Sequence, residues 1–221
     1  MKLSVGKVIH LLFVAGLSVS TGHAAETDWE QKRDREGIQV FTRSVEGSPY
    51  DAVRTVTTLE NVRLSSLVAL IEDAEACPDW ADRCAESYVV ETVSATESFV
   101  YTHNDMPFPV SDRDVVAHVK WEQDQQSLTV EMHSEAVSGK HEEVRGRLRL
   151  QQARAMWRFE PLPDNQVRII NEAHIDPGSA LPGWVTNMLL VDTPFETMRA
   201  FVDEVRNPKY RNAEVSFIRD Q

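Results

Sequence analysis

Cysteine is scarce: Cys77 and Cys84 are the only two in 221 residues. A structural zinc site wants four ligands, and no others are patterned near this pair. The spacing is not the Cys-x-x-Cys of a redox-active dithiol either. Basic residues are in deficit, 23 Lys and Arg against 35 Asp and Glu. So acidic a chain argues against nucleic-acid partners, which need clustered cations, and against constitutive docking on an anionic leaflet. Solubility alone accounts for the charge. Catalytic signatures are missing too. There is no Gly-x-Ser-x-Gly elbow, no His-Glu-x-x-His and no metal-spaced cluster, so neither a cofactor nor a metal is expected. Beyond the first two dozen residues no apolar run approaches the ~20 residues that span a bilayer. No linker composition and no internal repeat divides the chain, which predicts one domain.

What is present begins at the N-terminus. Met1 is followed by Lys2 and Lys7, then by an apolar run, Val8 to Val19, interrupted only by His10, Gly16 and Ser18. Gly22 and Ala24 supply the small residues of a signal-peptidase site. Residues 1–24 therefore read as a cleavable secretory signal cut after Ala24, and an uncleaved N-terminal anchor is the alternative. No cysteine near the cut offers a lipidation site. The expected product is soluble and periplasmic or secreted. Removing two lysines leaves 21 cations against 35 anions, a net charge of −14. In an oxidising compartment an even cysteine count points to a Cys77–Cys84 disulfide.

Along the mature chain, Trp29 to Arg35 reads as a short helical lead, and Ile38–Arg43 and Ala52–Leu59 as two strands around Gly47-Ser48-Pro49. Leu64, Leu67, Val68 and Ile71 recur at helical spacing, which predicts a helix over Arg63–Asp73. The segment from Cys77 to Cys84 is a short turn or helix. Strands follow: a hairpin of Glu86–Ser94 and Glu97–Asn104, then Asp112–Gln123, Ser127–His133, Ala155–Pro161 and Val167–Asp176. In the third of these Val115, Ala117, Val119 and Trp121 share one face, opposite Asp114, His118 and Lys120. Such alternation belongs to antiparallel strands with one wet face. Pro182 is placed to open a terminal helix. Thr193-Pro194-Phe195-Glu196 reads as a fresh N-cap, predicting a break near Asp192. Phe195, Met198, Phe201, Val202 and Val205 form the stripe of the restarted helix.

Four stretches give the chain a family likeness: Cys77-Pro-Asp-Trp-Ala-Asp-Arg-Cys84, Pro107-Phe-Pro-Val-Ser-Asp-Arg-Asp114, Gly146-Arg-Leu-Arg149, and Ile175-Asp-Pro-Gly-Ser-Ala-Leu-Pro-Gly-Trp184. Together they resemble the StAR-related lipid-transfer (START) domain family in its bacterial exported form, over nearly all of Trp29 to Arg206. The resemblance implies an α+β helix-grip fold, a curved antiparallel sheet wrapped around a long C-terminal α-helix with an apolar tunnel between. It would occupy residues 25–210, with 211–221 as a short tail. It also implies a lipid or sterol-like hydrophobic ligand.

The large inward groups Trp121, Met132, Trp157 and Phe159 suit either a plain core or a cavity wall. Cavity candidates are Trp80, His103, Val119, Trp121, Met132, Trp157, Asn171, Trp184, Met188, Phe195 and Met198. Trp80 either lines the floor or pins the cysteine segment. Asn171, an inward amide, must find a partner in a ligand or a neighbour. His103 stands at a strand end beside the Pro break. Arg113 and Asp114 are read as structural, fixing the start of their strand. Two polar anchors of better-known relatives have no counterpart, because Cys77, Ala81 and Val119 stand where their charged residues would be. The sequence therefore predicts a non-enzymatic binder, with transfer as an added step, of one hydrophobic molecule. The segment Pro182–Val191 and the loop Ser134–Arg145 would open to admit it. A monomer in transient contact with membranes suffices. A helix-grip enzyme, cyclase- or hydrolase-like, acting on an apolar or aromatic substrate in the same cavity is the alternative.

Overall fold

The structure, a computed structural model, describes residues 29–221. The export signal lies outside the described residues. Ten strands form one sheet: β1 (Glu30–Arg35), β2 (Ile38–Arg43), β3 (Ala52–Glu60), β4 (Cys84–Ser94), β5 (Glu97–Asn104), β6 (Asp112–Gln123), β7 (Val130–Ala136), β8 (Arg147–Arg149), β9 (Ala153–Leu162) and β10 (Gln166–Ile175). Their order is β1-β2-β3-β10-β9-β7-β6-β5-β4, with β8 paired to β6. All neighbours on the main path are antiparallel. The exception is β8, which lies parallel to Asp112–Asp114.

The first element corrects the sequence reading: Glu30–Arg35 is a strand, not a helical lead. The hexapeptide EQKRDR has no apolar stripe to hold a helix against a core. It pairs instead with β2 through a two-residue turn, Glu36-Gly37, whose φ values of 55° and 75° are both positive. That turn matches the twist of a hairpin. β7 is also displaced from the expected Ser127–His133. Asp124 Oδ1 accepts from the amides of Gln126 and Ser127 and from the Ser127 hydroxyl. This side-chain turn takes Ser127 out of the strand.

Two helical layers meet the sheet. α1 (Leu64–Glu72) leads through a 3₁₀ turn, Ala74–Ala76, into the single-turn α2 (Cys77–Trp80). A disulfide joins Cys77 to Cys84 at the start of β4, with Cα atoms 6.0 Å apart. The terminal helix comprises α3 (Gly183–Asn187), a π-helical turn (Met188–Asp192) and α4 (Thr193–Glu204). The expected break at Asp192 is absent, since Asn187, Met188, Asp192 and Thr193 all keep right-handed helical angles. Pro194 has no N–H to give and crowds the preceding turn. The wider π turn accommodates it without interruption.

The core gathers Phe195, Met198 and Phe201 of α4 and Val205 just after it against Trp157 and Phe159 of β9, Ile169 of β10, Val130 and Met132 of β7, and Leu64, Leu67 and Val68 of α1. Sheet and final helix thus make a curved antiparallel grip around one long helix. The chain closes with α5 (Pro208–Arg211). The last residues fold back on the body, where Asp220 accepts from the Ser65 amide and hydroxyl and pairs with Arg63 at 2.7 Å. No helix among the described residues is long and apolar enough to cross a membrane.

Candidate functional site

The concave face of the sheet does not close completely on the helices. Two hollows lie between them. The first, of ≈ 290 Å³, sits under α1 and α2 and reaches the β4–β5 hairpin. Its walls include Trp80, Val119, Trp121, Met132 and Trp157. The second, of ≈ 370 Å³, lies beneath α3 and the π turn, with Leu181, Leu189 and Leu190 on one side and Val53, Asn171 and Ala173 on the other. We call them the hairpin-side and lid-side chambers. They abut at Trp157 and Asn171, which are directly opposite each other on β9 and β10.

An aromatic cluster stands at that junction. Trp80 meets Trp157 edge-on at 6.0 Å and Phe201 at 5.3 Å, and Trp157 lies 4.7 Å from Phe201. Such edge and tilted contacts stabilise the cluster beyond the burial of its area. The disulfide holds α2, and so Trp80, in this position.

The strands' period-two alternation builds these walls. Val115, Ala117, Val119 and Trp121 all face the hairpin-side chamber, together with Val100 of β5 and Met132 of β7. A larger groove of ≈ 530 Å³ lies on the other face of the same strands, lined by His118, Lys120, His133, Arg154 and Glu172 among others. It is polar and open, so it offers little apolar burial, and the inner face is the candidate site.

The two chambers differ in charge. Among the described residues, the hairpin-side lining contains no Lys, Arg or His, and its carboxylates are Glu72, Asp73 and Glu97. Glu72 is exposed as a residue, yet burial of its carboxyl pushes its pKa up, with the Trp121 indole opposing. Asp73 is held below the usual carboxylate range: burial raises it, but Lys209 and Tyr210 together outweigh that. The lid-side lining carries Arg83 and Arg113 beside Asp51 and Asp82. No histidine lines either chamber.

The lid-side chamber is latched. Thr193 Oγ1 donates to Asp82 Oδ2 at 2.8 Å, and the Asp82 amide donates to Thr197 Oγ1 at 3.0 Å. Arg33 of β1 pairs with Asp192 at 2.6 Å. These contacts tie the start of α4 to the segment after Trp80 and to the sheet's edge. The Thr193 hydroxyl expected to cap a new helix is used here.

Arg113 and Asp114 sit at the start of β6 but do not pair with each other. Asp114, fully buried, receives a two-pronged hydrogen bond from Arg149 at 2.8 and 3.0 Å and one from the Tyr101 hydroxyl at 3.0 Å. Burial raises the Asp114 pKa, yet the bonds from Arg149 and Tyr101 more than offset it, and the carboxyl is held low. Arg113 donates to the carbonyls of Ser111 and Pro177 and to Ser179 Oγ. It thereby ties the β5–β6 loop to the segment before α3.

The remaining candidates scatter. Asn171 lines the lid-side chamber, and its Nδ2 donates to the Met156 carbonyl at 3.2 Å. His103 is buried outside both linings, with Nε2 3.1 Å from Asp112 Oδ2. Phe195 and Met198 are packed into the core, each 1% exposed. Met188 is half-buried outside both linings. Trp184 is 56% exposed. Sequence reasoning missed the hydroxyls of the hairpin-side wall, among them Ser87, Ser98, Thr102 and Ser134, and the lid-side leucines. The same alternation that located Val119 and Trp121 could have found the hydroxyls.

Comparison with known proteins agrees with this architecture. The family model for the START domain matches residues 15–211. A Pseudomonas aeruginosa protein described as uncharacterized is 32% identical over 178 residues, 80% of this chain and 87% of its own. A crystal structure of a STAR-related lipid transfer protein fragment from Xanthomonas axonopodis superposes with a TM-score of 0.73 at 31% identity, covering 81% of this chain and 99% of that one. Human StAR-related lipid transfer protein 5 shares the fold at 16% identity, with a TM-score of 0.70 over 80% of this chain and 86% of its own. The hollow sheet-and-helix grip and the matched length together make this chain a member of the START domain family.

Proposed function

We propose that the mature chain is an exported, non-enzymatic binder of one hydrophobic molecule and carries it between membranes. The observation that supports this most is the pair of largely apolar chambers between sheet and helix, walled by Trp80, Trp121, Met132 and Trp157 on one side and Leu181, Leu189 and Leu190 on the other. A ligand that buries ~300 Å² of apolar surface there gains about 7.5 kcal/mol before ordering costs. The secretory signal over residues 1–24 and the Cys77–Cys84 disulfide favour an oxidising compartment, the periplasm or beyond. The polar groups at hand favour carriage over chemistry. Among the described residues no histidine is in either lining, and the hydroxyls that do meet one, Ser48 with His174 and Tyr88 with His141, lie outside both chambers. Loading proceeds by release of the Thr193–Asp82 latch and outward movement of the segment before α4. The same end of the molecule touches the membrane during exchange.

Purifying the mature protein and extracting it for lipid mass spectrometry tests this reading. One class of apolar molecule should co-purify and be competed off by added lipid. A protein that yields no lipid and takes up none would overturn it.

A further inference from the structure

Hydroxyls line both chambers, Tyr50, Thr186, Thr193 and Thr197 in the lid-side one, but only the hairpin-side lining is free of cations among the described residues. Its wall is a mixture of apolar groups and hydroxyls: Ser87, Ser98 and Thr102 on β4 and β5, and Ser134 on β7. Ser87 and Thr102 satisfy each other at 3.1 Å, and Ser87 also donates to the Tyr101 carbonyl at 3.0 Å. Ser134 reaches the Ala155 carbonyl only at 3.4 Å. The Ser98 hydroxyl, next to Val119 across the β5–β6 ladder, has no hydrogen-bond partner among the described residues.

Two indole nitrogens add to this. Trp80 Nε1 and Trp121 Nε1 are buried without a hydrogen-bond partner among the described residues, and both tryptophans line the chamber. Glu72 lies close enough to Trp121 to feel its N–H, but not in hydrogen-bonding geometry. An indole N–H can only donate. A buried donor left unmade costs roughly 1–3 kcal/mol, so this end of the cavity wants an acceptor oxygen.

The charges decide which acceptor. No cation lines the chamber, and the carboxylates of its lining are Glu72 and Asp73, while Glu97 turns its own toward His118 and Lys120. Burying an anionic headgroup there would leave it unpaired beside like charges, which is strongly unfavourable. An uncharged ester or carbonyl accepts from the indoles without that penalty, and a hydroxyl can also donate to a hydroxyl or carboxylate of the wall. The lid-side lining carries both signs, Arg83 and Arg113 with Asp51 and Asp82.

We infer that the hairpin-side chamber selects the uncharged oxygen-bearing end of an amphiphile, such as a hydroxyl or glyceryl ester, and rejects an anionic one. This deepens the carrier reading and rests on it.

The test compares two probes that share one fluorescent polyene chain, a free fatty acid and its monoacylglycerol, titrated into the mature protein at pH 7.5. The monoacylglycerol should bind at least about tenfold more tightly. Ser98→Arg, which places a cation in the chamber wall, should shift the preference toward the fatty acid. Trp121→Phe, which deletes the donor together with the five-membered ring, should weaken the monoacylglycerol more than the fatty acid. Equal binding of both probes, or a preference for the acid, in the unaltered protein would overturn the selection and leave carriage standing. Failure of both probes to bind, together with a lipid-free purified protein, would overturn carriage itself.

Discussion

Thr193 donates its hydroxyl hydrogen bond to Asp82 Oδ2 at 2.8 Å, across 111 residues of sequence. Asp82 follows Trp80 by two residues, and Thr193 begins α4 directly after the π turn. One short contact therefore joins the aromatic junction of the cavity to the helix that roofs its lid-side chamber.

Weakening that contact should change exchange more than stability. Thr193→Val removes the donor and keeps the shape, and Asp82→Asn keeps the shape and weakens the acceptor. A part-buried hydrogen bond contributes about 0.5–1.5 kcal/mol. Acting on the closed state alone, its loss should speed release of a bound fluorescent lipid by roughly 3- to 10-fold. Stopped-flow dissociation into excess unlabelled lipid measures this. An unchanged release rate in both variants would place the gate elsewhere.

The disulfide closes a short loop and fixes the helical turn that carries Trp80. Chain-entropy arguments put such a constraint at roughly 2.5 kcal/mol. Free-thiol labelling of the unreduced mature protein should find no reactive cysteine. A Cys77→Ser, Cys84→Ser double variant should lose about that stability in a urea melt, and its affinity for lipid should fall with the loosened Trp80. Two labelled thiols in the unreduced protein would refute the pairing.

The Asp114 carboxylate predicts an acid limb. Its folded pKa is held below the unfolded carboxylate value of ~3.9 because the hydrogen bonds from Arg149 and Tyr101 outweigh burial. A depressed folded pKa means stability that is fully present above the unfolded value and is lost as pH falls through the folded one. The stability of the wild type should therefore decline below about pH 4. Asp114→Ala strands the buried Arg149 guanidinium and should cost about 3–5 kcal/mol at neutral pH. Its stability should depend less on pH in the acid limb, as read from urea midpoints across pH 2.5–7.

Much of the architecture was legible because the strands obey a period of two. Val115, Ala117, Val119 and Trp121 could be assigned to one face without any coordinate, and they line one chamber. Glu30–Arg35 was not legible, since a charged edge strand has no apolar period to read and its hairpin depends on the backbone angles of Glu36 and Gly37. Thr193-Pro194-Phe195-Glu196 has the composition of a helix start, but a partner distant in the chain, Asp82, claims the threonine. The hollow itself was illegible from pattern alone. A filled core and a walled cavity place the same residues inward, and only the distance between sheet and helix separates them. The resemblance to the START family supplied that step.

Phe108 and Trp184 bear on how such a protein meets a membrane. Phe108 is 94% exposed at the tip of the β5–β6 loop, and Trp184 is 56% exposed at the start of α3. Arg113 ties the loop of the first to the segment leading into the second, through Ser111, Pro177 and Ser179. Met106 and Leu181, from the same two segments, line the lid-side chamber. The exposed rings therefore flank the opening through which a ligand would pass. Aromatic side chains favour the headgroup level of a bilayer. A mature chain of net charge −14 gains nothing from anionic lipid, so the contact should be apolar and nearly independent of salt. If each ring buries about half its surface there, the gain is roughly 1 kcal/mol apiece. Phe108→Ser combined with Trp184→Ser should then lower association with zwitterionic vesicles by about 30-fold and slow lipid transfer between them. Both positions are exposed, so stability should stay within about 0.5 kcal/mol of the wild type. Transfer by the double variant at the wild-type rate would show that ligand leaves through another face, and the opening beside the β4–β5 hairpin would be the next place to look.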